Sequence, residues 1–311
     1  MTEAPISPGF AQHPSPARPK TEPMILRAGS VPFIKMHGLG NDFVVVDARA
    51  GGVRIDPVQA ARIADRHTGV GFDQLVLLEP ARSPHADVFV RFLNADGSES
   101  GACGNGTRCA AALLMDENGS NRMVLETLSG LLPTMRRTDG LVTVDMGPAK
   151  LGWREVPLAE AADTGHVKIG VEALDEAVCC SMGNPHATFF VEDADALDLA
   201  RLGPLVEHHP MFPERVNVGV VHLIAPGKLR LRVWERGAGL TLACGSGACA
   251  ALVAAARRGL VPQHNGASKA ELVLERGSLV VEWRDDGHVL MTGPTARSFN
   301  GVLGADMLSA G

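Results

Sequence analysis

One stretch occurs twice in this chain of 311 residues. Gly101-Ala-Cys-Gly-Asn-Gly-Thr-Arg-Cys-Ala-Ala-Ala-Leu-Leu114 returns as Leu242-Ala-Cys-Gly-Ser-Gly-Ala-Cys-Ala-Ala-Leu252. In each copy a cysteine stands among small residues, and a Gly-x-Gly turn runs into an Ala/Leu-rich helical stretch. That order places Cys103 and Cys244 at or beside helix N-termini, where free backbone N–H groups and the macrodipole favour negative charge. The expectation is a pair of thiols that lose well over a unit from a resting pKa of about 8.5. The same N–H groups can hold a substrate carboxylate.

The repetition reaches well beyond the cysteines. Met182-Gly-Asn-Pro-His-Ala-Thr-Phe-Phe-Val-Glu192 echoes Leu39–Asp47, a Gly-Asn turn leading into an apolar strand. Arg91 and Arg232 each precede their cysteine by twelve residues, on alternating segments that read as strands. Leu274–Gly277 matches Leu125–Gly130, and Met291-Thr-Gly-Pro294 matches Met146-Gly-Pro148. The period, about 145 residues, is too long for a solenoid and implies two similar halves facing each other.

A coarse reading fills in the first half. Phe33–Met36 and Phe43–Asp47 read as strands joined by a tight Gly-Leu-Gly-Asn turn. Val58–Arg66 has helical periodicity. Asp73–Glu79, Asp87–Leu93, Val124–Thr127, Leu131–Arg136 and Leu141–Met146 read as strands, and the Cys103 helix stops at Asn118-Gly119. Leu151–Leu174 reads as a connection with no chemical motif. Residues 1–32 carry seven prolines and no apolar h-region, so they read as a disordered extension and not as a secretory signal. The halves are then expected at 33–150 and 151–297. Residues 298–311 form a C-terminal segment that can return to the first half.

Composition removes several function classes. A net charge of −6 argues against binding a phosphate backbone. No apolar run approaches the roughly 18 residues of a membrane span. Six cysteines in a chain of this length, in no knot-like pattern, suit a reducing compartment, and the protein reads as cytoplasmic. The spacings Cys103-x5-Cys109 and Cys244-x4-Cys249, with no nearby His pair, fit zinc poorly.

A duplicated thiol suits a reaction with two near-equivalent acid/base groups. Inverting an sp³ carbon through a planar carbanion needs one group to remove a proton and a second to deliver one to the opposite face. In the reverse direction the roles exchange, so both groups need similar placement. Two helix N-termini converging on the adjacent carboxylate stabilise the charge that builds as the carbon becomes enolate-like.

Eight segments carry a closer likeness: Lys35-Met-His-Gly-Leu-Gly-Asn-Asp-Phe43, Phe72-Asp-Gln74, Phe92-Leu-Asn-Ala-Asp-Gly-Ser98, Ala102–Cys109, Gly183-Asn-Pro-His186, Arg215-Val-Asn-Val-Gly219, Trp234-Glu-Arg-Gly-Ala-Gly239 and Ala243–Cys249. In this order, from about Phe33 to Gly301, the chain resembles diaminopimelate epimerase. The resemblance implies interconversion of LL- and meso-2,6-diaminopimelate with no cofactor, neither pyridoxal phosphate nor metal. It implies an α/β (α+β) fold of two pseudo-symmetric barrel-like halves, each a mixed sheet wrapped around a central helix, with the site in the cleft between them. A homodimer is implied as well; the chain has no Tyr, and Phe299 is expected at that contact.

By the same resemblance Cys103 and Cys244 are the two catalytic bases. Gly104, Asn105, Gly245 and Ser246 bind the reacting-end carboxylate, which Asn41 and Gln74 line. Asn94, Asn184, Asn217, Glu235 and Arg236 fix the distal amino-acid end, where an ammonium needs a carboxylate and a carboxylate a guanidinium. Ala102 and Leu240 depart from larger polar residues common in the family. Cys109, Cys249 and Cys179-Cys180 read as core, His37 as a turn or packing residue, and His186 as a residue that can orient a thiol. Asn41 and Asn184 have a plainer alternative as left-handed turn residues. Two other functions stay open: a proline racemase-like enzyme, which needs no Glu235-Arg236 clamp, and a non-enzymatic thiol redox or binding protein.

Overall fold

A computed structural model describes residues 29–309. The Pro-rich segment therefore lies outside the described residues up to residue 28, and the first strand begins at Val31, two residues before the expected start. The first half runs β1 (Val31–Gly38), β2 (Asn41–Asp47), α1 (Pro57–Ala64), β3 (Gln74–Glu79) and β4 (Val88–Asn94). It continues through β5 (Glu99–Ser100), α2 (Gly104–Asn118), β6 (Arg122–Thr127), β7 (Gly130–Arg136) and β8 (Val142–Pro148). A strand the sequence reading left as connection, β9 (Val167–Val171), comes next.

The second half repeats the order: β10 (Leu174–Ser181), β11 (Pro185–Phe190), α3 (Leu199–Glu207), β12 (Asn217–Ala225) and β13 (Lys228–Glu235). Then follow β14 (Gly239–Thr241), α4 (Gly245–Arg257), β15 (Gln263–His264), β16 (Ala267–Leu274), β17 (Gly277–Trp283) and β18 (His288–Gly293). The chain closes with β19 (Ala296–Leu303) and the short α5 (Ala305–Leu308).

The pairing is mixed in the same places in both halves. β2 runs parallel to β3 and β4 to β6, as β11 does to β12 and β13 to β16. The other pairs are antiparallel. The halves meet where β8 pairs with β18, with Val144 opposite Met291 and Thr143 bonded to Thr292 through their hydroxyls at 2.8 Å. β19, the last strand, pairs with β1 of the first half.

In each half the strands pack a helix on both faces. Along β2, Phe43 and Val45 belong to the cluster around Cys109, Ala110, Leu114 and Met115 of α2, whereas Val44 and Val46 join Ala60 and Ile63 of α1. That alternation is the period-2 pattern of a strand covered on both sides. α4 is buried along nearly its whole length, as a helix apolar all round must be. Gly106 is glycine because a Cβ there would stand 2.6 Å from the Phe92 ring. The helix ends at a left-handed Gly119 cap, φ 66°, at the predicted stop.

The β1–β2 hairpin closes through Leu39 and Gly40 at φ 55° and 88°, the two consecutive positive values of a type I′ turn. Asn41 and Asn184 themselves are not left-handed, so the plainer alternative for them does not hold; Gly183 takes that conformation in the second half. Leu39 is buried in the core of the other half, beside Cys244 and Met291. The turn thus reaches into the other half and brings Asn41 against Asn105 and the Cys103 sulphur.

Candidate active site

Cys103 is the N-cap of α2 and accepts from Gly106 N at 3.4 Å; Cys244 is the N-cap of α4 and accepts from Gly247 N at 3.3 Å. Both cysteines hold extended backbone, the usual N-cap conformation. The two helix starts converge. A Cβ on Gly104 would lie 2.5 Å from Met291 Cε, and one on Gly245 would lie 2.9 Å from Met291 Sδ and 3.5 Å from Asn105 Oδ1. Asn105 bridges the halves, its Nδ2 donating to Asn41 Oδ1 and to the Ala243 carbonyl, each at 3.1 Å.

The thiols do not behave as their helix positions alone predict. Burial pushes Cys103 up to about 11, although the residue keeps partial exposure, and the bond from Gly106 N only partly opposes this. Cys244 is raised well above its ordinary value, first by burial and then by the neighbouring Glu235 carboxylate. Desolvation outweighs the helix N-terminus at both sites. Iodoacetamide alkylation of Cys103 in the free protein is therefore expected to be slow at neutral pH and to climb through about pH 11. Cys244, which is 4 % exposed, should react more slowly still. Peptide mapping that finds either thiol as reactive near pH 7 as a helix-activated cysteine would contradict this.

The surroundings of the two sulphurs differ. Cys103 Sγ lies 3.9 Å from Asn41 Oδ1, and Asn41 Nδ2 donates to Asp73 at 2.8 Å. Cys244 Sγ lies 3.6 Å from Ser246 Oγ, and the Glu235 carboxylate is near enough to raise its pKa. Glu235 accepts from Thr241 Oγ1 at 2.6 Å, and burial raises its pKa. His186 Nε2 reaches Ser246 Oγ at 3.1 Å and Asn184 Oδ1 at 3.0 Å. Burial, then the charge of Arg236, drives that imidazole down to about 3, so it stays neutral.

The remaining predicted residues form two further groups. Gln74 Nε2 donates to Asn94 Oδ1 at 2.8 Å, and the buried Gln74 Oε1 has no partner among the described residues. Asn217 is engaged at both ends, donating to Pro185 O at 2.8 Å and accepting from Arg236 N at 2.9 Å. It braces the backbone around Arg236. The Arg236 guanidinium is exposed and donates to the Glu214 carbonyl at 3.0 Å.

Sequence reasoning passed over Asp73, which orients Asn41, although it sits beside Gln74 in the Phe-Asp-Gln segment. It also passed over Glu207, buried at the end of α3. Glu207 accepts from Trp234 Nε1 at 2.7 Å and Gly237 N at 2.9 Å and so fixes the Glu235-Arg236 segment from both sides.

This architecture defines a class. The hydroxyproline epimerase from Agrobacterium vitis, solved with bound trans-4-hydroxy-L-proline, superposes with a TM-score of 0.65 at 17 % identity, over 89 % of this chain and 93 % of that one. A phenazine biosynthesis protein of the PhzF family from Bacillus anthracis matches at 0.62 and 15 %, over 88 % and 99 %. The chain thus has the two-half epimerase fold. Within it, the diaminopimelate epimerase family model matches residues 33–152 and 178–297, one block in each half. Diaminopimelate epimerase from Rhodospirillum centenum is 58 % identical over 89 % of this chain and 93 % of its own length. That from Acidiphilium cryptum is 57 % identical over 91 % and 99 %. The chain belongs to the diaminopimelate epimerase family.

Proposed function

We infer that this protein interconverts LL- and meso-2,6-diaminopimelate with two thiols and no cofactor. The observation that carries the reading is the pair of cysteines capping two helices whose N-termini are tied together by Asn105. One thiol, as thiolate, takes the α-proton from one face, and the other delivers its proton to the opposite face. The free N–H groups at the starts of α2 and α4, with Asn105 and Ser246, receive the carboxylate beside that carbon and the charge that develops on it.

Both thiols are protonated in the free protein, so substrate binding must release one proton. Glu235, whose carboxylate neighbours Cys244, is the group positioned to take it. His186 and Asn184 hold the Ser246 hydroxyl, which leaves its proton available to the Cys244 sulphur. Gln74, with an unused acceptor beside Asn94, lines the cleft. Arg236, whose guanidinium holds only a backbone carbonyl among the described residues, is left to pair with the distal carboxylate.

The enzyme in this reading is a cytoplasmic homodimer. Six free cysteines suit a reducing compartment. Half-exposed Phe299 on β19, edge-on to Phe33 at 6.0 Å, offers an apolar face to a second copy. Incubation with LL-diaminopimelate in heavy water tests the activity: meso product should appear with deuterium at the inverted carbon, while early unreacted substrate stays protonated. Product that keeps the original proton would point to a single base. No turnover of diaminopimelate alongside rapid racemisation of proline would favour a proline racemase-like enzyme.

A further inference from the structure

Arg108 carries a fully buried guanidinium. Its side chain is among the largest fully buried ones in the protein, and among the described residues it forms no ion pair with a carboxylate. Nη2 donates to Asn105 Oδ1 at 2.8 Å, Nη1 lies 3.5 Å from Met291 Sδ, and Nε has no partner among the described residues. The second half has no twin for it, since Cys249 occupies the aligned position of α4. Glycines make the space. A Cβ on Gly38 would stand 3.0 Å from Nη2, and one on Gly293, in the other half, 3.2 Å from Nε. A buried, unpaired guanidinium is costly, so its place calls for a compensating role.

The hydrogen bonds indicate that role. A guanidinium only donates, so it selects the oxygen of the Asn105 amide, and the Asn105 nitrogen must face the other way. That nitrogen reaches Asn41 Oδ1 and the carbonyl of Ala243, the residue before Cys244. At the far end Asp73, a carboxylate that only accepts, selects the nitrogen of Asn41. The run Arg108–Asn105–Asn41–Asp73 thus has a single polarity. It sets the group facing the Cys103 sulphur and the backbone leading into Cys244 through one amide.

We propose that Arg108 is a positioning residue of the epimerase reaction, fixing the two thiols relative to each other through Asn105 and placing an uncompensated positive charge behind the helix N-termini that receive the substrate's negative charge. The proposal rests on the two-thiol reading given above. The charge of Arg108 also draws the Cys103 thiol downward against the effect of burial.

The test compares Arg108→Met, which keeps bulk and removes charge, with Arg108→Lys, which keeps charge and loses the planar fork. In Arg108→Met, kcat should fall about 100-fold, as expected when reacting groups are displaced by an ångström. KM should move less than about threefold. The pH at which iodoacetamide alkylates Cys103 should rise, with no loss of melting temperature. Arg108→Lys should keep the alkylation profile near wild type and recover only part of kcat.

Wild-type kcat and alkylation profile in Arg108→Met would overturn the proposal. If that variant does not fold, a fully active Arg108→Lys would overturn it equally. Alkylation is read without turnover, so an active Cys103→Ala enzyme would refute the two-thiol reading separately, leaving the effect of Arg108 on Cys103 measurable.

Discussion

Cys103→Ala and Cys244→Ala should each yield a folded protein whose epimerisation has fallen on the order of 10^4-fold, the upper range for one acid/base group. Folding should survive because each thiol is a weak N-cap, 3.3–3.4 Å from its N–H donor, and such a cap is worth about 1 kcal/mol. The helices are held instead by burial: α2 and α4 lie in the two cores that contain Cys109 and Cys249. Chemistry should not survive, since inversion needs a proton carrier on each face. The two variants should nonetheless differ from dead protein. The thiol that remains can still remove and return a proton on its own face. In heavy water one variant should wash deuterium into LL-diaminopimelate without inverting it, and the other into the meso form. Full epimerisation by either variant, or exchange into both stereoisomers by one of them, would refute separate bases on the two faces.

The strands and the two central helices were legible because their signals are local. The apolar run Phe43–Val46 behind its Gly-Leu-Gly-Asn turn and the Gly119 stop each lie within a few residues of what they specify. The features that were missed depend on distant partners. Leu199–Glu207 contains Gly203-Pro204, a helix-breaking pair; the helix forms because it packs against strands of the second half, so closely that a Cβ on Gly203 would stand 2.5 Å from the Trp234 ring. β9 is five residues long and exists through its pairing with β10.

Site chemistry followed the same division. The capping geometry of both cysteines could be read from Cys-Gly-x-Gly. Their acidity could not, because it is set by what packs over them from elsewhere in the chain. Desolvation and the Glu235 carboxylate reach Cys244 from residues spread over the second half, and no spacing rule carries that information. Arg108 did carry a local signal, as the lone charge in the first turns of a helix of small and apolar residues. Its meaning emerges only with Gly38 and Gly293 around it.

Arg236→Ala should cut kcat/KM for diaminopimelate by about 2–5 kcal/mol, roughly 30- to several-thousand-fold. The guanidinium has no carboxylate partner among the described residues and holds only the Glu214 carbonyl, so it is free to take one from a ligand. Its backbone is nonetheless held still, by Asn217 Oδ1 on its own N–H and by Glu207 on Gly237 N. A rigidly mounted, unpaired guanidinium is what a site needs to hold the far end of a long zwitterion. The aligned segment of the first half has Asn94-Ala95 in place of Glu235-Arg236, so in the proposed mechanism the thiols are the duplicated part and Arg236 is a single, unduplicated recognition group. Remote contacts held through the transition state align the reacting carbon between the thiols. Hence lysine and proline, which lack the second amino-acid group, should turn over orders of magnitude more slowly than diaminopimelate with the wild-type enzyme. Arg236→Ala should narrow that gap by slowing diaminopimelate alone. Equal losses for all three substrates would assign Arg236 to the fold and remove it from specificity.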